Sequence, residues 1–216
     1  MTTPDDDDQK RRAPDLAEAI GGPLGAAETA LPGIAFVVAY TVTGQDTNLS
    51  AYVALGLAAV LAAARLARRE TPRHALSGLF GVALAAFVAT RSGKAENFFL
   101  PGLIFNAGYA AAFAISVLVR WPIVGYLATQ IDGSARTAWR QDRERMRVFN
   151  QATWMWSGLF VLRLAVQLPL YLAGAVVELG VARTAMGLPL FGLGLWLSYL
   201  LVRRAPPPQE AAPQSP

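Results

Sequence analysis

The sequence predicts an all-α bundle of about six membrane-spanning helices. Three observations carry that prediction. Hydrophobic residues make up 54% of the 216-residue chain and charged residues only 16%, against about 45–50% and about 25% in soluble domains. Mean hydropathy is +0.35. The charges are clumped, leaving six apolar stretches near the ~20 residues that a ~30 Å hydrocarbon layer demands. The basic residues fall mostly in alternate connections.

The spans read as follows. The first, near 24–43, carries one charge, Glu28, and the second, 49–67, carries Arg65. The third, 74–90, is free of Asp, Glu, Lys and Arg but short, so full crossing is the weakest part of the count. The fourth, 98–119, holds Asn106, the fifth, 155–177, holds Arg163, and the sixth, 184–202, is uncharged. Together they define a membrane domain over 24–204. The segments 1–23 and 205–216, "MTTPDDDDQKRRAPD" and "APPPQEAAPQSP" at their cores, read as disordered tails too polar to form a packed core. No apolar core follows the first basic residues, so the start does not read as a cleavable signal peptide. Solvated tail is also the reading of Asp5–Asp8.

Loop charge gives orientation. One set of segments holds Lys10, Arg11, Arg12, then Arg65, Arg68, Arg69, Arg73, then Arg120, Arg136, Arg140, Arg143, Arg145, Arg147, then Arg203 and Arg204. The other set holds only Arg91, Lys94 and Arg183. Both termini are therefore expected in the cytoplasm, with the net charge of +4 directed at anionic inner-leaflet lipid. No nucleic-acid recognition motif is visible. The largest cytoplasmic segment, "GSARTAWRQDRERMRVFNQATWMW", places Trp139, Met146 and Phe149 roughly on one helical face. It reads as an amphipathic helix on the inner surface, with Trp139, Arg140, Arg143 and Arg147 at the interface. A solvated helix docking a protein partner is the other reading. Trp154 and Trp156 mark the interface where the fifth span begins.

Chemistry is mostly excluded. The chain has no cysteine and one histidine, His74 at a span boundary, so disulfides, thiolate sites, His-rich metal sites and Ser/His triads are not expected. No cofactor fingerprint is present, and an enzyme is not expected.

Arg163 stands out. In "GLFVLRLAVQLPL" it lies nine residues beyond Trp154, about 13 Å into a ~30 Å core. A guanidinium there must turn inward toward a partner or water. Gln167 lies one turn on, and Pro169 removes a backbone donor, predicting a kink. Glu28 or Glu96 is the expected counter-charge, with Asn106 and Asn97 as further polar neighbours. A buried structural ion pair and a solvent- or substrate-lined site both fit this pattern.

"LPGIAFVVAY" (31–40) and "LPGLIFNAGY" (100–109) match at Leu, Pro, Gly, Phe and Tyr, each with a glutamate upstream. One reading is a 3+3 inverted repeat of the transporter kind. The other is Leu-Pro-Gly merely opening two helices. Gly78, Gly81 and the glycines of "LFGLGLW" are expected to let helices approach closely.

Over roughly 24–204, the stretches ENFFLPG, RWPIVG and LRLAVQLPLYL resemble the Domain of Unknown Function 3159 family of bacterial membrane proteins. More distantly, the FLP-type span, the "R-x-P" exit and the Trp-rich next span look like intracellular septation protein A and its relatives. The resemblance implies an integral inner-membrane protein with no assigned activity and no catalytic or binding residues to carry over.

Two function classes follow. One is a small transporter or channel-like protein whose midplane site, Arg163, Gln167, Asn106, Asn97 and a glutamate, would favour an anionic solute. The other is a non-catalytic scaffold for envelope or division machinery with a protein partner. The charge bias makes a topology prediction. A fluorescent protein fused after Pro216 is expected to be bright and alkaline phosphatase at the same point inactive. An active phosphatase fusion would reverse the orientation.

Overall fold

The computed structural model describes residues 22–68, 72–132 and 142–203, and every regular element among them is a helix. They are α1 (Gly22–Val42), α2 (Thr47–Ala67), α3 (Pro72–Ser92), a 3-10 helix (Ala95–Phe98), α4 (Leu100–Leu118), α5 (Ile123–Asp132), α6 (Arg143–Leu172), α7 (Val176–Ala185) and α8 (Leu188–Val202). Among the described residues five stretches are long and apolar enough to cross a membrane: Thr47–Ala67, Ala75–Ser92, Leu100–Leu118, Arg143–Leu172 and Val176–Val202, with a shorter apolar one at Glu28–Val42. The chain is a polytopic helical membrane protein. The third span lies in α3, 21 residues long, of which Ala75–Ser92 has the length and hydropathy of a crossing helix.

Local chemistry sets the boundaries. Asp46 caps α2, its carboxylate accepting from Leu49 N–H at 3.0 Å, which satisfies one of the helix's orphan donors. Gly174 (φ 66°) ends α6. Ala175 N–H reaches back to Leu170 C=O at 3.0 Å, the left-handed stop that glycine makes cheap. Arg120 does the same work for α4 without being glycine: at φ 56° it lets Trp121 N–H bond Ser116 C=O at 2.8 Å. That conformation costs an L-residue about 1–2 kcal/mol, and Pro122, whose C=O accepts from Tyr126 N–H at 3.2 Å, opens the next helix, α5, where its missing N–H is no loss.

Packing is inverted relative to a soluble protein. The buried face of α2 is Ser50, Ala51, Ala54, Ala58 and Ala62, while its large side chains Tyr52, Val53 and Val60 are exposed. On α3, Ala85, Ala86 and Ala89 are buried and Phe80 and Phe87 exposed. Small residues let backbones approach, and lipid tails take the bulky ones.

The contacts form two compact units. The first takes the chain to Ile104 together with Ala165–Leu188. In it α2 packs against both α1 and α3, and α7 against α1 and the 3-10 helix. Phe36 anchors its core, stacked on Phe98 with centroids 4.0 Å apart and edge-on to Phe99 at 5.9 Å. The second unit takes Phe105–Leu164 and the chain from Pro189. Val124, Phe149, Ala152 and Trp156 form its core, and Trp156 Nε1 donates to Ser198 Oγ at 2.8 Å.

Several sequence expectations are corrected. The fifth span does not start at 155: α6 runs without a break from Arg143, so Arg143 and Arg147 stand on the span helix itself rather than on a separate surface helix. Asp142 makes that start, its carboxylate accepting from Glu144 N–H at 2.8 Å. Trp139 and Arg140 lie outside the described residues. Trp156, expected at the interface, has its ring buried in the second unit's core; Trp154 is 47% exposed. Pro169 falls in the last turn of α6. The sixth span begins at Val176 and breaks between α7 and α8. Gly78 and Gly81 face open space, whereas Gly194 makes a close approach, a Cβ there meeting Leu159 Cδ1 at 2.9 Å. The two matched Leu-Pro-Gly segments occupy unequal positions. Pro32 is inside α1 and Pro101 opens α4, while Phe36 is fully buried and Phe105 is 59% exposed. Nor do the two units follow three-helix halves.

Ala54→Leu, at a fully buried position, is expected to destabilise the protein by about 1–3 kcal/mol through overpacking. Ala59→Leu, on the exposed face one turn on, should be near neutral. Thermal melts in detergent followed by size exclusion check the contrast, and equal melts would mean that α2 has no packed face.

Candidate functional site

The polar residues singled out in the sequence fall in both units. Glu28, Glu96, Asn97 and Gln167 belong to the first unit, Asn106 and Arg163 to the second. What each does follows from its helix.

Glu28 lies about five turns from the Gly44–Gln45 turn along α1, and Arg65 a similar distance along α2. Antiparallel packing of the two helices sets them opposite each other. The Glu28 carboxylate accepts from Arg65 Nε at 2.8 Å and from Arg68 Nη1 at 3.2 Å. Its side chain is 13% exposed, against 15% for Arg65 and 59% for Arg68. The expected counter-charge of Arg163 is thus engaged by two arginines of its own helical hairpin. Hairpin register was the signal for this cluster; loop counting treated Arg65 and Arg68 only as orienting charges.

Asn97 follows the same rule of near neighbours. Its Oδ1 accepts from Tyr171 Oη–H at 2.6 Å, tying the 3-10 helix to the end of α6. Glu96 is half-buried in that 3-10 helix, and its backbone C=O accepts from Phe99 N–H at 3.0 Å. Arg183, counted in the sequence as an outer-loop charge, sits on α7 with its guanidinium carbon 5.8 Å from the Phe99 ring centroid. The guanidinium fills the space beside Gly102, where any Cβ would collide with it.

Along α6 the inward positions Arg145, Phe149, Thr153, Trp156, Phe160, Arg163 and Gln167 recur at three- and four-residue intervals, the repeat of one helical face. Arg163, on this face, is half-buried, and its guanidinium carbon lies 5.8 Å from the Phe160 ring centroid. Gln167, in the first unit, is 2% exposed. Asn106, on α4, is half-buried. The hydroxyls on this face, which sequence reasoning missed, are committed to backbone. Thr153 Oγ1 donates to Phe149 C=O at 2.7 Å, and Ser157 Oγ donates to Ala110 C=O at 2.9 Å. Among the described residues no group of three or more His, Cys, Asp or Glu could hold a metal ion.

A family model described as "Protein of unknown function (DUF3159)" matches residues 20–209, the whole helical region just described. The chain belongs to this family. Neither a curated protein nor a solved structure matches it. The DUF3159 match and the apolar helices together make the chain an integral membrane protein of unassigned activity.

The ion cluster supplies an ordered prediction. Glu28→Gln leaves two guanidiniums around a neutral amide in a largely covered site, so a loss of about 1–3 kcal/mol is expected. Arg68→Gln should cost less, because its side chain is mostly in solvent and exposed pairs contribute about 0–1 kcal/mol. Melting temperatures of the two variants give the order, and a larger effect at Arg68 would overturn it.

Proposed function

We propose that this DUF3159 member is a non-catalytic scaffold of the bacterial inner membrane, with both termini in the cytoplasm and a protein partner of the envelope or division machinery. The observation that carries this reading is the local use of its intramembrane polar groups. Glu28 serves Arg65 and Arg68, Asn97 serves Tyr171, and Ser157 serves a backbone carbonyl. Polar side chains bonded to neighbours in this way fasten helices together, which is their ordinary use in lipid. The orientation rests on the charge bias of the connections, and the partner class on the distant likeness to septation proteins.

A second reading, transport of a small anionic solute, is favoured by one observation: Gln167, well inside the apolar stretch of α6, is 2% exposed. A buried polar side chain at that depth is the pattern of an intramembrane site.

The absence of native cysteine allows a direct test. Gln167→Cys and Lys94→Cys are labelled in oriented membranes with a charged thiol reagent that does not cross lipid. Lys94, exposed in the connection before the 3-10 helix, is the reactive control. On the scaffold reading position 167 stays unlabelled while position 94 is fully modified. Rapid labelling at 167 would show that water reaches it, and transport would replace the scaffold.

A further inference from the structure

The outward side of α6 carries a second regular pattern. Arg143, Arg147, Trp154, Gly158 and Val161 are exposed, at intervals that keep them within a narrow arc of one helix. The ridge changes character once along its length. From Trp154 to Leu164, within the second unit, it is apolar, with Val161 52% exposed, and nothing lies within 4 Å of a Cβ built on Gly158. This part spans about 15 Å, half of a ~30 Å hydrocarbon layer and so the depth of one leaflet. Trp154, 47% exposed, stands at its upper edge, where indole rings settle. Beyond it the same ridge is basic: Arg147 lies about 10 Å and Arg143 about 16 Å past Trp154, so Arg147 stands a few Å, and Arg143 about one Debye length, beyond a headgroup layer about 5–7 Å deep. Arg145, one residue away from the ridge, is handled differently, being 6% exposed with its guanidinium carbon 5.9 Å from the Phe149 ring centroid. The helix thus turns one arginine inward and two outward within a single turn.

We infer that this ridge is a binding surface for an anionic phospholipid, with the acyl chain along Gly158 and Val161, the glycerol backbone at Trp154 and the anionic headgroup held by Arg147, Arg143 adding its attraction from farther out. Charge complementarity commits the basic end to an anion. The continuous apolar run beneath it commits that anion to a lipid rather than to a soluble phosphate or an acidic protein segment. The inference rests on the membrane-spanning character of α6 alone and stands apart from the choice between scaffold and transporter.

The test uses the full-length protein in detergent, with phosphatidylglycerol, phosphatidylcholine or soluble glycerol phosphate titrated in and thermal stability as the readout. Phosphatidylglycerol is expected to raise the melting temperature saturably, while phosphatidylcholine and glycerol phosphate leave it unchanged. Arg147→Gln should raise the half-saturating phosphatidylglycerol concentration about fivefold, and Arg143→Gln with Arg147→Gln about thirtyfold. The double Arg→Lys variant should restore it. Glu144→Gln, which removes a negative charge from the same turn, should shift it the opposite way. The proposal is overturned by equal responses to the anionic and zwitterionic lipids, by a response to glycerol phosphate matching that to the lipid, or by half-saturation unmoved in the arginine variants.

Discussion

Close approach of α2 to its two neighbours is the contact on which the first unit depends. In lipid there is no hydrophobic drive to bring helices together, so association relies on packing at short range and on hydrogen bonds. A row of Ser50, Ala51, Ala54, Ala58 and Ala62 allows that approach. The consequences run outward from it. With the hairpin closed, Glu28 meets Arg65; with α1 held, Phe36 presents its face to Phe98; with the 3-10 helix held by that stack, Phe99 offers a ring face to Arg183. Replacing the alanines by larger apolar residues would raise the hydrophobicity of α2 and weaken the unit, the reverse of the soluble case.

The second unit answers the same constraint with a different device. Its core is aromatic, and two hydrogen bonds cross between its helices: Trp156 to Ser198, and Ser157 to the Ala110 carbonyl. Gly194 makes the first of these geometrically open, because the indole of Trp156 occupies the space a side chain would need. A polar group that bonds across helices avoids the penalty of an unmet donor in hydrocarbon. The hydroxyls that instead bond one turn back, such as Thr153, achieve the same within one helix.

How much of this was legible in the sequence differs by feature. Span positions were readable because length and hydropathy alone determine them, and α1 to α4 begin and end within a few residues of expectation. The long start of α6 was not. "RERMRVFNQATW" is polar enough to suggest a surface helix, and only the Asp142 cap and the inward side chains Arg145 and Phe149 join it to the span. The cost of burying a charge in lipid singles out Arg163 in the sequence, but its partners were not legible there. Counter-charge reasoning ranks carboxylates by sequence depth, whereas helical hairpins pair residues by distance from their turn. By that rule Glu28 belongs with Arg65.

These considerations converge on α6, the helix that simple amphipathicity describes worst. Its inward face mixes arginine, threonine, glutamine and aromatics, and its outward ridge passes from arginine through tryptophan to valine. Averaged by hydrophobicity the two sides nearly cancel, because each contains polar and apolar residues in sequence. They differ in what the polar residues meet. On the inward face Thr153 and Ser157 meet carbonyls and Arg163 lies beside an aromatic ring. On the ridge the polar residues are confined to one end. A polar residue at mid-span must be satisfied by protein, and one beyond the hydrocarbon can be satisfied by headgroup or water. Depth along α6 therefore separates Arg163 from the three arginines of the first turn, and facing separates the buried Arg145 from the exposed Arg143 and Arg147.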